Sequence, residues 1–136
     1  MKTHVLDANA LFRYLLRDPG FEVVHRALKD ASTSQSTILM SAINWGEVYY
    51  TMVRKEGAKI ASSRIEQLSQ LPLSIVAAGK VEAKAAAELK AAYGLHYADC
   101  FAAALTGKNG LLLTADAKDF KRIPWLQIAA LPPYRP

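Results

Sequence analysis

Leu111-Leu112-Leu113-Thr114-Ala115-Asp116 is the stretch on which the fold turns. Three leucines and a threonine run into an aspartate, and the turn Lys108-Asn109-Gly110 bounds them in front. Such a short apolar run predicts a buried strand over Leu111–Thr114. The beginning of the chain has the same form. Thr3–Leu6 is a brief β-like run that ends on Asp7, in Val-Leu-Asp-Ala-Asn.

Between these runs, strands and helices alternate. A helix is predicted over Ala8–Arg17 and is broken by Asp18-Pro19-Gly20. Val24, Ala27 and Leu28 have helical spacing within Glu22–Ala31, and the polar Ser32–Ser36 reads as a loop. Thr37–Met40 is a second strand. Ser41 suits the N-cap of a helix running to about Glu56, and Gly57 ends it. A helix over Ala58–Gln70 stops near Pro72, and Leu73–Val76 is a third strand. Alanine-rich Val81–Ala92 predicts a helix with Gly94 as its stop. Ala98–Thr106 is a further helix, Trp125–Ile128 a fifth strand, and residues 131–136 a frayed tail.

Strands alternating with helices imply an α/β fold, with a parallel sheet of four to five strands covered on both faces. Ligands of such sheets bind at the carboxyl ends of the strands. Asp7 and Asp116 both fall there, and they come together if the first and fourth strands are neighbours.

The 136 residues fit one domain, 1–136, with no repeat, low-complexity tract or linker. Apolar residues make up 51% and are broken by polar ones throughout, which excludes a disordered chain. The single cysteine, Cys100, excludes an intrachain disulfide and suits a reducing compartment. The apolar stretch before Asp7, Val5-Leu6, is two residues long, too short for a signal peptide, and no run approaches the ~18 of a membrane span. The expectation is a cytoplasmic protein without membrane association. Formal net charge is +5; with four clustered acids set aside, 8 acids face 17 bases, a net +9 elsewhere. A basic exterior around an acidic pocket suits a polyanionic substrate.

Two more acids join the pair. Asp99 lies at the start of the helix that feeds the fourth strand, where the helix dipole also favours a carboxylate. Glu47 lies within a helix, and its neighbours Ile43, Asn44, Tyr50 and Thr51 offer no basic partner. Carboxylates packed together raise each other's pKa, and a divalent cation reverses that cost. Carboxylate and water oxygens are the donors that Mg²⁺ and Mn²⁺ prefer. Two such ions ~4 Å apart can activate water and stabilise the leaving oxygen of a phosphodiester. His4, His25 and His96 are dispersed without zinc spacing and read as non-catalytic.

The motifs, in order, are Asp7 after the first strand, Asn-Trp-Gly-Glu-Val around Glu47, Tyr-Ala-Asp-Cys-Phe-Ala-Ala-Ala around Asp99, and Leu-Leu-Thr-Ala-Asp-Ala-Lys-Asp-Phe around Asp116. From about Thr3 to Ile128 this resembles the PIN-domain family, most of all the VapC-type toxins of bacterial and archaeal toxin–antitoxin pairs. The resemblance implies a three-layer α/β/α sandwich and a Mg²⁺- or Mn²⁺-dependent endoribonuclease. It also implies a homodimer and a cognate antitoxin that plugs the acidic groove.

By position, Asp7, Glu47, Asp99 and Asp116 match the metal-binding, catalytic quartet. Asn9 and Thr114 match the small polar positions beside it, and Asp119 matches an acid many members carry. Two features depart from the pattern. Ala8 replaces a hydroxyl residue, and Gly46 precedes Glu47, weakening the helix by about 1 kcal/mol relative to alanine and leaving room for a close backbone approach.

On this reading Asp7 is the central ligand, Asp99 and Asp116 complete the main site, and Glu47 binds a second ion or orients the attacking water. Thr114 and Asn9 hydrogen-bond a ligand carboxylate or a water on the metal. The products carry a 5′-phosphate and a 3′-hydroxyl. Arg13, Arg17, Lys55, Arg64 and Lys118 are candidate phosphate contacts. Trp45, Tyr49, Tyr50 and Met52 crowd one helix as core or as a partner surface.

Three other readings compete. Asp7-Ala8-Asn9 could open an aspartate-dependent phosphatase, but Asn9 stands where a second acid is usual. A receiver-like phospho-acceptor would want paired acids near the first strand. A catalytically silent RNA- or protein-binding module would not need an intact quartet.

Overall fold

Val5 and Leu6, adjacent on the central strand, belong to two different cores, and this alternation organises the molecule. The computed structural model describes residues 2–132. Its elements are β1 (Lys2–Leu6), α1 (Ala8–Leu16), α2 (Phe21–Ser32), β2 (Ser36–Ser41), α3 (Ala42–Glu56), α4 (Ala58–Leu68), β3 (Leu73–Val76), α5 (Lys80–Tyr93), α6 (Tyr97–Thr106), β4 (Leu111–Thr114), α7 (Ala117–Phe120) and β5 (Ile128–Ala130).

The five strands are all parallel, in the order β3-β2-β1-β4-β5. The chain winds outward from β1 to β3, then returns to the other side of β1 to form β4 and β5. Right-handed crossovers in opposite directions place their helices on opposite faces. Leu6 and Leu113 accordingly pack beneath α1–α4, with Leu11, Val24, Val48 and Met52. Val5 and Leu112 pack beneath α5, α6 and α7, with Ala86, Phe101 and Phe120. The result is a three-layer α/β/α sandwich, as expected. Its topological switch point lies between β1 and β4.

The far end of α1 is clasped. Arg13, 2% exposed, donates from Nη1 to the carbonyls of Pro19 at 2.7 Å and Pro132 at 2.8 Å. Gly20 adopts φ +94°, and a Cβ there would meet the Pro132 ring at 2.8 Å, so only glycine fits.

Three expectations need correction. The fifth strand is Ile128–Ala130 rather than Trp125–Ile128. The chain is still turning there, with Ile123 and Leu126 amides bonded to the Phe120 and Ile123 carbonyls. Its Ile-Ala-Ala sequence also has little β-propensity. The one-turn helix α7 was not foreseen. Leu131 is not frayed: it is 4% exposed, and its amide donates to the Thr114 carbonyl at 2.8 Å. The rest of the expected tail, 133–136, lies outside the described residues. Among the described residues no helix is long and apolar enough to cross a membrane.

Candidate functional site

Asp7 occupies the step between β1 and α1. Because Leu6 pairs with Leu113, the next residues, Asp7 and Thr114, are neighbours across the sheet. Asp7 Oδ1 accepts from the Ala10 amide at 2.8 Å, capping α1. Its Oδ2 accepts the Thr114 hydroxyl at 2.5 Å. Thr114 Oγ1 in turn accepts the Asp116 amide at 2.9 Å, so one hydroxyl links two of the acids. Asp7 is 4% exposed and Thr114 fully buried. The capping role accounts for an oxygen here but not for a charge, since Asn or Ser caps as well as Asp.

Glu47 and Asp99 come from opposite layers. Asp99 sits in the first turn of α6. Glu47 sits in α3, where Asn44 donates from Nδ2 to Glu47 Oε1 at 3.0 Å. The same nitrogen donates to the Ala98 carbonyl at 3.2 Å. Asp7, Glu47, Asp99 and Asp116 thereby line one open groove of about 320 Å³, with Asn9, Phe12, Tyr50 and His96 among its other walls.

The groove is electrostatically unsatisfied. Burial pushes the Asp7 carboxyl up to about 7; hydrogen bonds from Thr114 and Ala10 oppose the shift, and Asp99 and Asp116 add to it. Burial also raises Asp99 to about 6, with the Asp116 and Glu47 charges adding to it and His96 opposing. Asp116 is raised by burial and by the adjacent Asp119 carboxyl. The described ion pairs include none to any of the four acids. Among the described residues, no three Asp, Glu, His or Cys side chains are drawn close enough to form a finished coordination shell. The donor set nonetheless suits a hard divalent cation, being carboxylate oxygen throughout.

The other predicted residues sort by position. Asn9 lines the groove as expected. Asp119 lies behind Asp116 and faces Arg122 at 3.8 Å. Arg13 is withdrawn as a phosphate contact because it is buried in the clasp. Arg64 is paired with Glu56 at 3.1 Å, and Arg17 lies over the Tyr14 and Phe21 rings. Lys55 stands at the rim, over Phe12, and Arg54, which the sequence did not single out, stands over the exposed Tyr50. Lys118 is exposed on α7. Met52 is core, whereas Trp45 and Tyr49 stack half-buried at 5.9 Å. A Cβ on Gly46 would meet nothing within 4 Å, so the expected close approach does not occur.

Sequence reasoning missed two residues. His96 enters the groove because the turn before α6 carries it there, three residues ahead of Asp99. Asn44 is 1% exposed, and its position one turn before Glu47 was the available signal.

The fold and the site together define a class of protein: a doubly wound parallel sheet with a carboxylate-lined groove at its switch point. The sequence profile of the PIN domain matches residues 4–126, and the chain belongs to that family. No curated protein sequence matches the chain. Among solved structures, the VapBC2 complex of Rickettsia felis bound to a promoter DNA fragment is similar, with a TM-score of 0.76 and 21% identity over 94% of this chain and 98% of that one. DNA-bound VapBC of Salmonella typhimurium gives 0.75 and 18% over 96% and 98%. A toxin–antitoxin complex from Klebsiella pneumoniae gives 0.60 and 21% over 93% and 96%. At these identities the likeness shows the fold.

Proposed function

We propose that this protein is a metal-dependent endoribonuclease and the toxin of a toxin–antitoxin pair, acting as one domain over 1–136. The observation that carries the reading is the groove at the switch point, lined by four carboxylates, none of which has an ion pair among the described residues. Asp7, Asp99 and Asp116 would hold the main Mg²⁺ or Mn²⁺ ion, and Glu47 would serve a second or orient the attacking water. Bound there, the cation supplies an activated water and neutralises charge on the phosphate. The chain's own residues prepare that chemistry. Thr114 fixes the Asp7 carboxylate and, through the Asp116 amide, the backbone beside it. Asn9, which lines the groove, would hydrogen-bond a ligand carboxylate or a water there. Arg54 and Lys55 at the rim offer positive charge to the RNA backbone.

Asn9, standing where a second acid is usual, argues against the phosphatase reading. The complexes named for the structural relatives support an antitoxin as partner; the homodimer rests on the family resemblance, and the cytoplasmic location on the sequence reading. The test is incubation of purified, antitoxin-free protein with a mixed cellular RNA pool and Mg²⁺ or Mn²⁺, with and without EDTA, beside Asp7→Ala. Discrete metal-dependent fragments ending in a 5′-phosphate, absent from the variant, are expected. Folded protein that yields none with either ion would sink the proposal.

A further inference from the structure

Glu47 and Asp99 lie on helices that cover opposite faces of the sheet, yet they line the same groove. Something must hold those two layers in register at this end. Asn44, in the first turns of α3, is the side chain that does so. Its single Nδ2 reaches Glu47 Oε1 at 3.0 Å and the Ala98 carbonyl at 3.2 Å, and Ala98 directly precedes Asp99.

We propose that Asn44 is a positioning residue that ties the Glu47 carboxylate to the start of α6 and so sets the spacing of the acidic groove. The inference rests on the metal-binding reading of that groove.

Three observations support it. First, the amide orientation is fixed. Reversing it would set Oδ1 against two acceptors, whereas Nδ2 has one hydrogen for each. Second, the donor of the link is buried, Asn44 being 1% exposed, while Glu47 is half-buried and so open to the groove. Asn44 Oδ1 has no partner among the described residues, so the donor side of the amide is what its placement serves. Third, the chemistry suits a cation site. A lysine or arginine could also hold Glu47, but its charge would neutralise the carboxylate and oppose a divalent ion. A neutral amide orients the carboxylate and leaves its charge available.

The test measures Mn²⁺ binding without RNA, by isothermal titration calorimetry, on the wild type, Asn44→Leu, Glu47→Gln and the double variant. Circular dichroism checks each fold, and Asn44→Ala replaces Asn44→Leu if the larger side chain unfolds the protein. Asn44→Leu should weaken Mn²⁺ binding about tenfold, in the range for residues that orient metal ligands. In the Glu47→Gln background it should weaken binding no further, because the residue acts through Glu47. An unchanged affinity in the single variant, or an equal loss in both backgrounds, overturns the proposal. A wild type that binds no Mn²⁺ overturns the metal reading of the groove and the inference with it, and that arm separates the two failures.

Discussion

The two ends of α1 each bury a charged side chain, and they treat it in opposite ways. At the C-terminal end, Arg13 Nη1 donates to the Pro19 and Pro132 carbonyls, fixed acceptors whose partial negative charge complements the guanidinium. At the N-terminal end, Asp7 accepts from Ala10 and Thr114 but faces Asp99 and Asp116, so its charge is desolvated first and repelled as well. Both side chains are under 5% exposed, so burial alone does not distinguish them. Surroundings do. A buried charge met by complementary groups closes the structure, whereas one met by like charges awaits something from outside.

Exchanging the charge at each end tests the contrast. Asp7→Asn should lower metal-dependent RNA cleavage on the order of a thousandfold, as expected for removing a principal electrostatic group. It should also raise the melting temperature of metal-free protein at pH 8, because the asparagine still caps α1 without a repelled charge. Cleavage assays and thermal melts on one preparation check both, and a variant that is inactive because it is unfolded would undo the contrast. Arg13→Met should do the reverse. Losing a buried, charged hydrogen-bonding group costs about 3 kcal/mol, measurable by urea unfolding, while the folded fraction keeps its specific activity.

The acid end should also carry a pH signature. The folded-state pKa values of Asp7 and Asp99, about 7 and about 6, lie above the ordinary aspartate value of 3.8. The folded state therefore binds these protons more tightly than the unfolded state. Their contribution to stability is full below pH ~4 and is lost as pH rises through 6 to 7. For Asp7 alone the upper bound is about 4 kcal/mol. Metal-free protein should melt at lower temperature at pH 8 than at pH 5, and added Mg²⁺ should recover most of the difference at pH 8. Thermal melts across this window check it, and Asp7→Asn should flatten the profile. A flat wild-type profile would place the tension elsewhere.

The smallest effect tests whether the tension lies in charge rather than backbone. Gly46 precedes Glu47 in mid-helix with open space around it. Gly46→Ala should stabilise the protein by about 0.5–1 kcal/mol and leave cleavage unchanged, as unfolding and initial-rate assays would show. Lost activity would mean that the glycine serves the site through its backbone.

Much of this was legible in the residues. Ser41 caps α3 through a hydrogen bond to the Ile43 amide, as its type and position predict. Strands β3 and β4 fall at the residues predicted, because each is a short apolar run between turn signals. Local chemistry decides such features. β5 was misplaced because its pairing with Leu112–Thr114, rather than its own Ile-Ala-Ala sequence, makes it a strand. Arg13 was misjudged because its acceptor at Pro132 is 119 residues away in the chain.

By itself, then, the sequence determined the alternation of elements, the parallel class of the sheet and the four acids that close its strand ends or flank them, since periodicity, capping and residue type act over a few neighbours. The tertiary structure alone decided that β1 and β4 are adjacent, which carboxylate Thr114 holds, that Asn44 spans from α3 to α6 and that His96 enters the groove. Each of these is a contact between segments far apart in the chain, and only the winding order of the sheet brings them together.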